Sequence, residues 1–250
     1  MIVVDSMQVY CGISGITNQA RRRPAEMVSI IPVTERWTAA RHVERSLDLI
    51  SCSPDGVVLD AGTGMYLNAI LLDIALAPRV PPQIRKQAER ATENETNPRR
   101  AARSAELEMS GADGRGSIWS GDLRYETTIL YLRPERSVLD AAISERSKRI
   151  VASGLEEARM IRRMQREGQD INLSVLESVG VSEMLQLADG KIMPKDARDR
   201  ISTRTRRLAR KQLRWFDKLA RNLEGRARIL VVDSPDEAHV WNTMHDTMLG

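Results

Sequence analysis

The chain has 250 residues, of which 42% are hydrophobic, 29% charged and only 4% aromatic, with a net charge of +4. That length supports one substantial aliphatic core, or one core with a small insert, rather than two domains of equal weight. Cys11 and Cys52 are too few for a disulfide framework and lack the paired spacing of a zinc site, so a reducing, cytoplasmic setting is expected.

In chain order, Ile2–Val4 reads as a buried strand, and Asp5-Ser6-Met7-Gln8-Val9-Tyr10 follows it directly. A carboxylate, a hydroxyl and an amide thus meet at one strand end. Asp5 could accept a proton from an amine nucleophile, or it could simply cap the turn that follows; spacing leaves both readings open. Val57–Leu59 predicts a second strand, with Asp60 at its end, and Ala61-Gly62-Thr63-Gly64 makes a glycine turn whose backbone N–H groups could approach a phosphate. The greasiest later run, residues 69–77, is interrupted by Asp73, so no membrane span is expected.

Residues 79–123 differ from their surroundings, with Pro81-Pro82, a polar run at 93–98 and glycines from 111 to 116, and are expected to form an inserted helical subdomain. Residues 1–78 and 124–250 are then the α/β core. Thr127–Leu132 predicts a third strand. A helix follows Pro134 with Leu139, Ile143 and Ile150 at helical spacing, and Gly154 interrupts it. Around residues 200–219, Ile201, Thr205, Leu208, Gln212, Trp215 and Leu219 step by four and three, giving one buried stripe. Residues 201–220 hold seven Lys/Arg against one Asp, a local excess greater than that of the whole chain. Such a segment either faces a polyanion, nucleic acid being the commonest, or is a solvated helix face. Ile229–Val232 is the fourth predicted strand, ending at Asp233. Strands separated by helices imply a parallel sheet that binds ligands beyond its carboxyl ends.

Three chemistries find no support. The sole Gly-Lys pair, Gly190-Lys191, is followed by Ile192, so the phosphate loop Gly-x-x-x-x-Gly-Lys-Ser/Thr is absent from these residues. His42, His239 and His245 lack metal-ligand spacing. No Gly-x-Ser-x-Gly elbow accompanies a histidine at a strand end.

Taken together, three segments resemble the tRNA dimethylallyltransferase (tRNA isopentenyltransferase) family. Asp5-Ser6-Met7-Gln8-Val9-Tyr10 matches a family signature unchanged, and Gly62-Thr63-Gly64-Met65-Tyr66-Leu67 is similar to its Gly-Gly-Thr-Gly-Leu-Tyr-Leu, with Ala61 at the first glycine. Thr205-Arg206-Arg207-Leu208-Ala209-Arg210-Lys211-Gln212-Leu213-Arg214-Trp215-Phe216 resembles its basic helix. Fainter likenesses lie at 96–106, at Gly154-Leu155-Glu156-Glu157 and at 179–183. The resemblance implies a P-loop NTPase-like parallel sheet flanked by helices, and transfer of a dimethylallyl group from dimethylallyl diphosphate to N6 of the adenosine at tRNA position 37. It implies Asp5 as general base, Arg206 on the diphosphate, and Ser6, Gln8, Gly62, Thr63 and Gly64 lining the substrates. Arg207, Arg210, Lys211, Gln212, Arg214, Arg100 and Arg103 would hold the tRNA anticodon stem-loop. Mg²⁺ is implied as cofactor, and a monomer is expected. The family places a strand, a phosphate loop and a helix before the Asp-Ser-Met-Gln signature. These are not in the sequence, so a truncated or inactive form is expected, with a non-catalytic RNA-binding relic as the alternative.

Overall fold

The computed structural model describes residues 1–74, 76, 80–96, 98–111 and 117–234, apart from the side chains of residues 82 and 98–100. The strand β1 (Ile2–Val4) is buried along its length, as three apolar residues with a helix on one side and a second strand alongside should be. Its partner β2 is Leu59–Ala61, in parallel register Ile2↔Leu59, Val3↔Asp60, Val4↔Ala61. The predicted strand at 57–59 is therefore shifted by two residues. The amides of Gly62 and Thr63 both donate to Val4 O, at 3.1 and 3.0 Å, which draws 59–61 into the ladder and places Asp60 inside the strand rather than after it.

Between these strands lie α1 (Ser14–Thr17) and α2 (Ala39–Ser51), the latter capped by Thr38, whose side chain accepts from Arg41 N. The helix α3 (Gly64–Leu71) follows β2 at once and is buried from Tyr66 to Leu71. Next, α4 (Pro82–Ala91) and α5 (Pro98–Met109) pack on each other. The buried Glu106 of α5 accepts from Arg85 Nε at 3.0 Å and from Arg103 Nη1 at 2.6 Å. Strand β3 (Thr128–Leu132) leads into α6 (Arg136–Ser153), which ends at Gly154 as predicted, and α7 (Leu155–Arg166). The short α8 (Leu173–Leu176) and α9 (Val181–Ala188) precede α10 (Pro194–Asn222), 29 residues long. Finally β4 (Arg228–Val232) pairs in parallel with β3.

Both strand pairs are parallel, as expected, but they do not make one sheet: among the described residues there are two separate two-stranded sheets, β1-β2 and β3-β4, and an isolated antiparallel bridge joins Leu72 and Leu123. No helix among these residues is long and apolar enough to cross a membrane. His239 and His245 lie outside the described residues.

Two apolar clusters sit on either side of a cleft. One is built from Val9, Tyr10, Ile13, Ile16, Ile161, Met184 and Ile201; the other from Val4, Tyr66, Ile70, Leu72, Leu219 and Leu223. Trp37 packs against both.

Next to Trp37 lies the fully buried His42, whose Nδ1 accepts from the indole N–H at 2.9 Å. Burial pulls its pKa down to about 4. An unfolded histidine titrates near 6.5, so the unfolded chain takes up this proton first as the pH falls. Stability from this group is complete above about pH 6.5 and falls by about 3 kcal/mol in all as the pH drops toward 4. Urea unfolding of wild type and His42→Gln at several pH values should show a difference between them that shrinks over that window.

Candidate active site

The cleft, about 1060 Å³, is lined by the residues that follow β1 and β2, by one face of α6, by the 174–182 segment and by the middle of α10. Asp5 stands at the carboxyl end of β1. Its Oδ1 accepts from Met7 N at 2.8 Å and Gln8 N at 3.2 Å. The carboxylate therefore caps the turn. Those bonds also fix its orientation, and they leave Oδ2 on the side of Gly62. The capping reading of Asp5 holds, and the cap engages only one of its two oxygens.

Thr63 Oγ1 accepts from Ser6 N at 3.1 Å, joining the two strand ends, and Gln212 Nε2 donates to Gly62 O at 2.7 Å, joining them to α10. Two glycines are required here by close approach. A Cβ on Gly62 would lie 2.6 Å from Asp5 Oδ2, and one on Gly64 would lie 2.2 Å from Trp215 Cδ1. Trp215 cannot easily yield, because its N–H donates to Asn68 Oδ1 at 3.1 Å and its ring lies 4.9 Å from that of Trp119. Gly64→Ala should cost about 1–3 kcal/mol through overpacking, read as a lowered Tm with altered tryptophan fluorescence; an unchanged Tm would contradict this packing.

The cleft also holds a cation that sequence reasoning missed. Arg146, on α6, lines the cleft, is partly buried, and its Nε has no partner among the described residues. Desolvation pulls its guanidinium below its ordinary value, and Asp5 opposes that shift. The available signal was its place one turn after Ile143 and one turn before Ile150, at the edge of the apolar face of α6. Arg204 is a second cleft cation, but it is already held by Glu183, Ser182 Oγ and Glu177 O.

Ser6, Gln8, Gly62 and Thr63 line this cleft with Asp5, as does Gln212. Arg206 does not line it: its Nε donates to Asp140 Oδ1 at 2.8 Å. Arg207, Arg210, Lys211 and Arg214 are exposed along α10, with Lys218 following and standing 4.3 Å over the Trp119 ring. Leu208, expected in the buried stripe, is 44% exposed because it borders the cleft. Arg103 pairs with Glu106, and the Arg100 side chain lies outside the described residues.

Fold and cleft together define an α/β protein in which a strand-end carboxylate and an arginine, whose Nε has no partner among the described residues, line one cleft beside a basic helix. A model of the IPP transferase family matches residues 8–113 and 91–219. A protein of Rubrobacter xylanophilus described as tRNA dimethylallyltransferase is 54% identical over 245 residues, covering 98% of this chain and 84% of its own length. A tRNA dimethylallyltransferase of Rhodospirillum centenum is 28% identical over 257 residues, covering 86% of this chain and 79% of its own. The chain belongs to the IPP transferase family. Solved structures share its fold: a tRNA delta(2)-isopentenylpyrophosphate transferase of Staphylococcus epidermidis (TM-score 0.67, 18% identity, 99% of this chain, 89% of that one) and a tRNA isopentenylpyrophosphate transferase of Bacillus halodurans (0.67, 21%, 99% and 86%).

Proposed function

We propose that this chain is a tRNA dimethylallyltransferase, moving the five-carbon group of dimethylallyl diphosphate to N6 of the adenosine at position 37, beside the anticodon. The observation that carries this is the presence in one cleft of Asp5, whose turn-capping bonds use only one carboxylate oxygen, and Arg146, whose Nε has no hydrogen-bond partner among the described residues. The N6 lone pair attacks the dimethylallyl C1 as the C1–O bond breaks. Diphosphate leaves with that electron pair, and Asp5 Oδ2 takes the N6 proton. Arg146 contributes charge where the leaving group becomes more negative; in this reading it takes the place the family resemblance gave to Arg206. Thr63 and Gln212 hold the two strand ends and α10 at fixed spacing, so that acceptor and donor meet in attack geometry.

The exposed row Arg207, Arg210, Lys211, Arg214 supports contact with the phosphates of the tRNA anticodon stem-loop. A target base would have to be splayed from the loop to enter the cleft. A P-loop NTPase-like arrangement of the two strand pairs is supported by Leu59, Ala61, Ile129 and Ile229 packing against the same apolar cluster although they come from both pairs. The described residues contain no group of three or more His, Cys, Asp or Glu placed to hold a metal. No step here runs through the implied Mg²⁺.

The dense basic row also favours tRNA over free adenine nucleotides, which need no long polyanion track. A second reading is RNA binding without transfer, which needs the exposed basic row of α10 and not the Asp5 cleft. Incubation with labelled dimethylallyl diphosphate and either unmodified tRNA or adenosine monophosphate separates the three: label in tRNA alone supports the proposal, label in the nucleotide sinks it, and tRNA binding with no label favours the second reading.

A further inference from the structure

Arg21 lies outside every segment that carried the family resemblance, yet its guanidinium reaches the cleft wall. Its Nη2 donates to Gln8 Oε1 and also pairs with Asp60 Oδ2 at 3.2 Å, while its Nη1 donates to the carbonyls of Asn18 and Ala20 at 3.1 and 3.2 Å. The side chain is only 19% exposed, so this arrangement is held by packing as well as by hydrogen bonds. Gln8 in turn lines the cleft, and its backbone N–H donates to Asp5 Oδ1. Gln8 and Asp5 therefore line the same cleft three residues apart, with the backbone of one holding the carboxylate of the other.

A guanidinium has donors only. The amide group facing it must be the oxygen, so the NH₂ of Gln8 is left for other partners. The other amide in the cleft wall, Gln212, has its NH₂ committed to Gly62 O.

We propose that Arg21 is a positioning residue for base specificity, fixing the Gln8 amide so that it presents an N–H donor beside the Asp5 carboxylate. The inference rests on the acceptor-base reading above. An acceptor and a donor side by side complement adenine, whose N6 amine donates and whose neighbouring ring nitrogens, N1 and N7, both accept. Guanine would set its O6 against the carboxylate, two acceptors facing each other with no proton between them. Were Gln8 free to flip, it would offer its oxygen as easily as its NH₂ and would lose this discrimination.

The test is a binding measurement on the full chain, using fluorescent anticodon stem-loop RNAs with adenosine, 1-deazaadenosine or 7-deazaadenosine at the target position. Wild type should bind one of the two deaza RNAs about tenfold more weakly than the adenosine RNA, the scale of one lost hydrogen bond in a desolvated site. Arg21→Ala should bring that ratio close to one, and Arg21→Lys, which also donates to Gln8, should restore most of it. Asp60→Ala removes the Arg21 ion pair instead and should leave the ratio unchanged. Loss of affinity shared by all three RNAs in Arg21→Ala, with the ratio intact, would reduce Arg21 to a structural or electrostatic role and overturn the proposal. So would equal binding of all three by wild type. If no stem-loop binds at all, it is the tRNA reading that fails, and this inference falls with it.

Discussion

Asp5→Asn is expected to lower transfer by about 10²–10⁴-fold, the usual range for loss of a positioned general base, while leaving the fold and RNA affinity nearly as in wild type. Asparagine keeps an oxygen that can accept from Met7 N and Gln8 N, so the turn after β1 stays capped. What it loses is the ability to take the N6 proton. Asp5→Ala removes both functions and should add a stability loss of about 1 kcal/mol, the ordinary cost of a lost cap. Comparing the two variants by Tm and by transfer separates the base from the cap. If Asp5→Asn retained wild-type transfer, Asp5 would be only a cap.

Arg146→Ala is expected to raise KM for dimethylallyl diphosphate by about 10–100-fold, as befits loss of charge-assisted hydrogen bonds of about 1.5–3 kcal/mol. It should do so with little or no loss of stability, because the residue removed is a desolvated cation whose Nε has no partner. Arg206→Ala provides the contrast. Its ion pair with Asp140 is about two-fifths exposed on both sides, and such pairs contribute about 0–1 kcal/mol. That variant should change KM by less than about threefold. The opposite ranking of the two arginines would return the diphosphate to Arg206 and contradict the geometry of the cleft.

The strand end carrying Asp5 was legible because β1 is a short apolar run with an abrupt polar end, and the Gly62–Gly64 turn because tight turns need glycine. The break of the long helix at Gly154 and most of the buried stripe of α10 were legible for the same reason: they follow local periodicity. What escaped depends on which faces meet across the fold. Arg146 looks like any helical arginine until α6 is laid against the cleft. Arg206 looks like a cleft-lining residue until Asp140, 66 positions earlier, is found beside it. The shift of β2 to 59–61 came from the pairing of Gly62 and Thr63 with Val4, a tertiary contact that outweighs the β-branched pattern at 57–59. Arg21 is the plainest case, since only the fold brings it to both Gln8 and Asp60.

The most direct test of the central claim is nucleoside analysis of tRNA from cells that lack their own transferase and express this chain or its Asp5→Asn variant in equal, folded amounts. The account predicts N6-dimethylallyladenosine at position 37 with the wild-type chain and essentially none with the variant. The same modified nucleoside from both, or its absence from both, would contradict it.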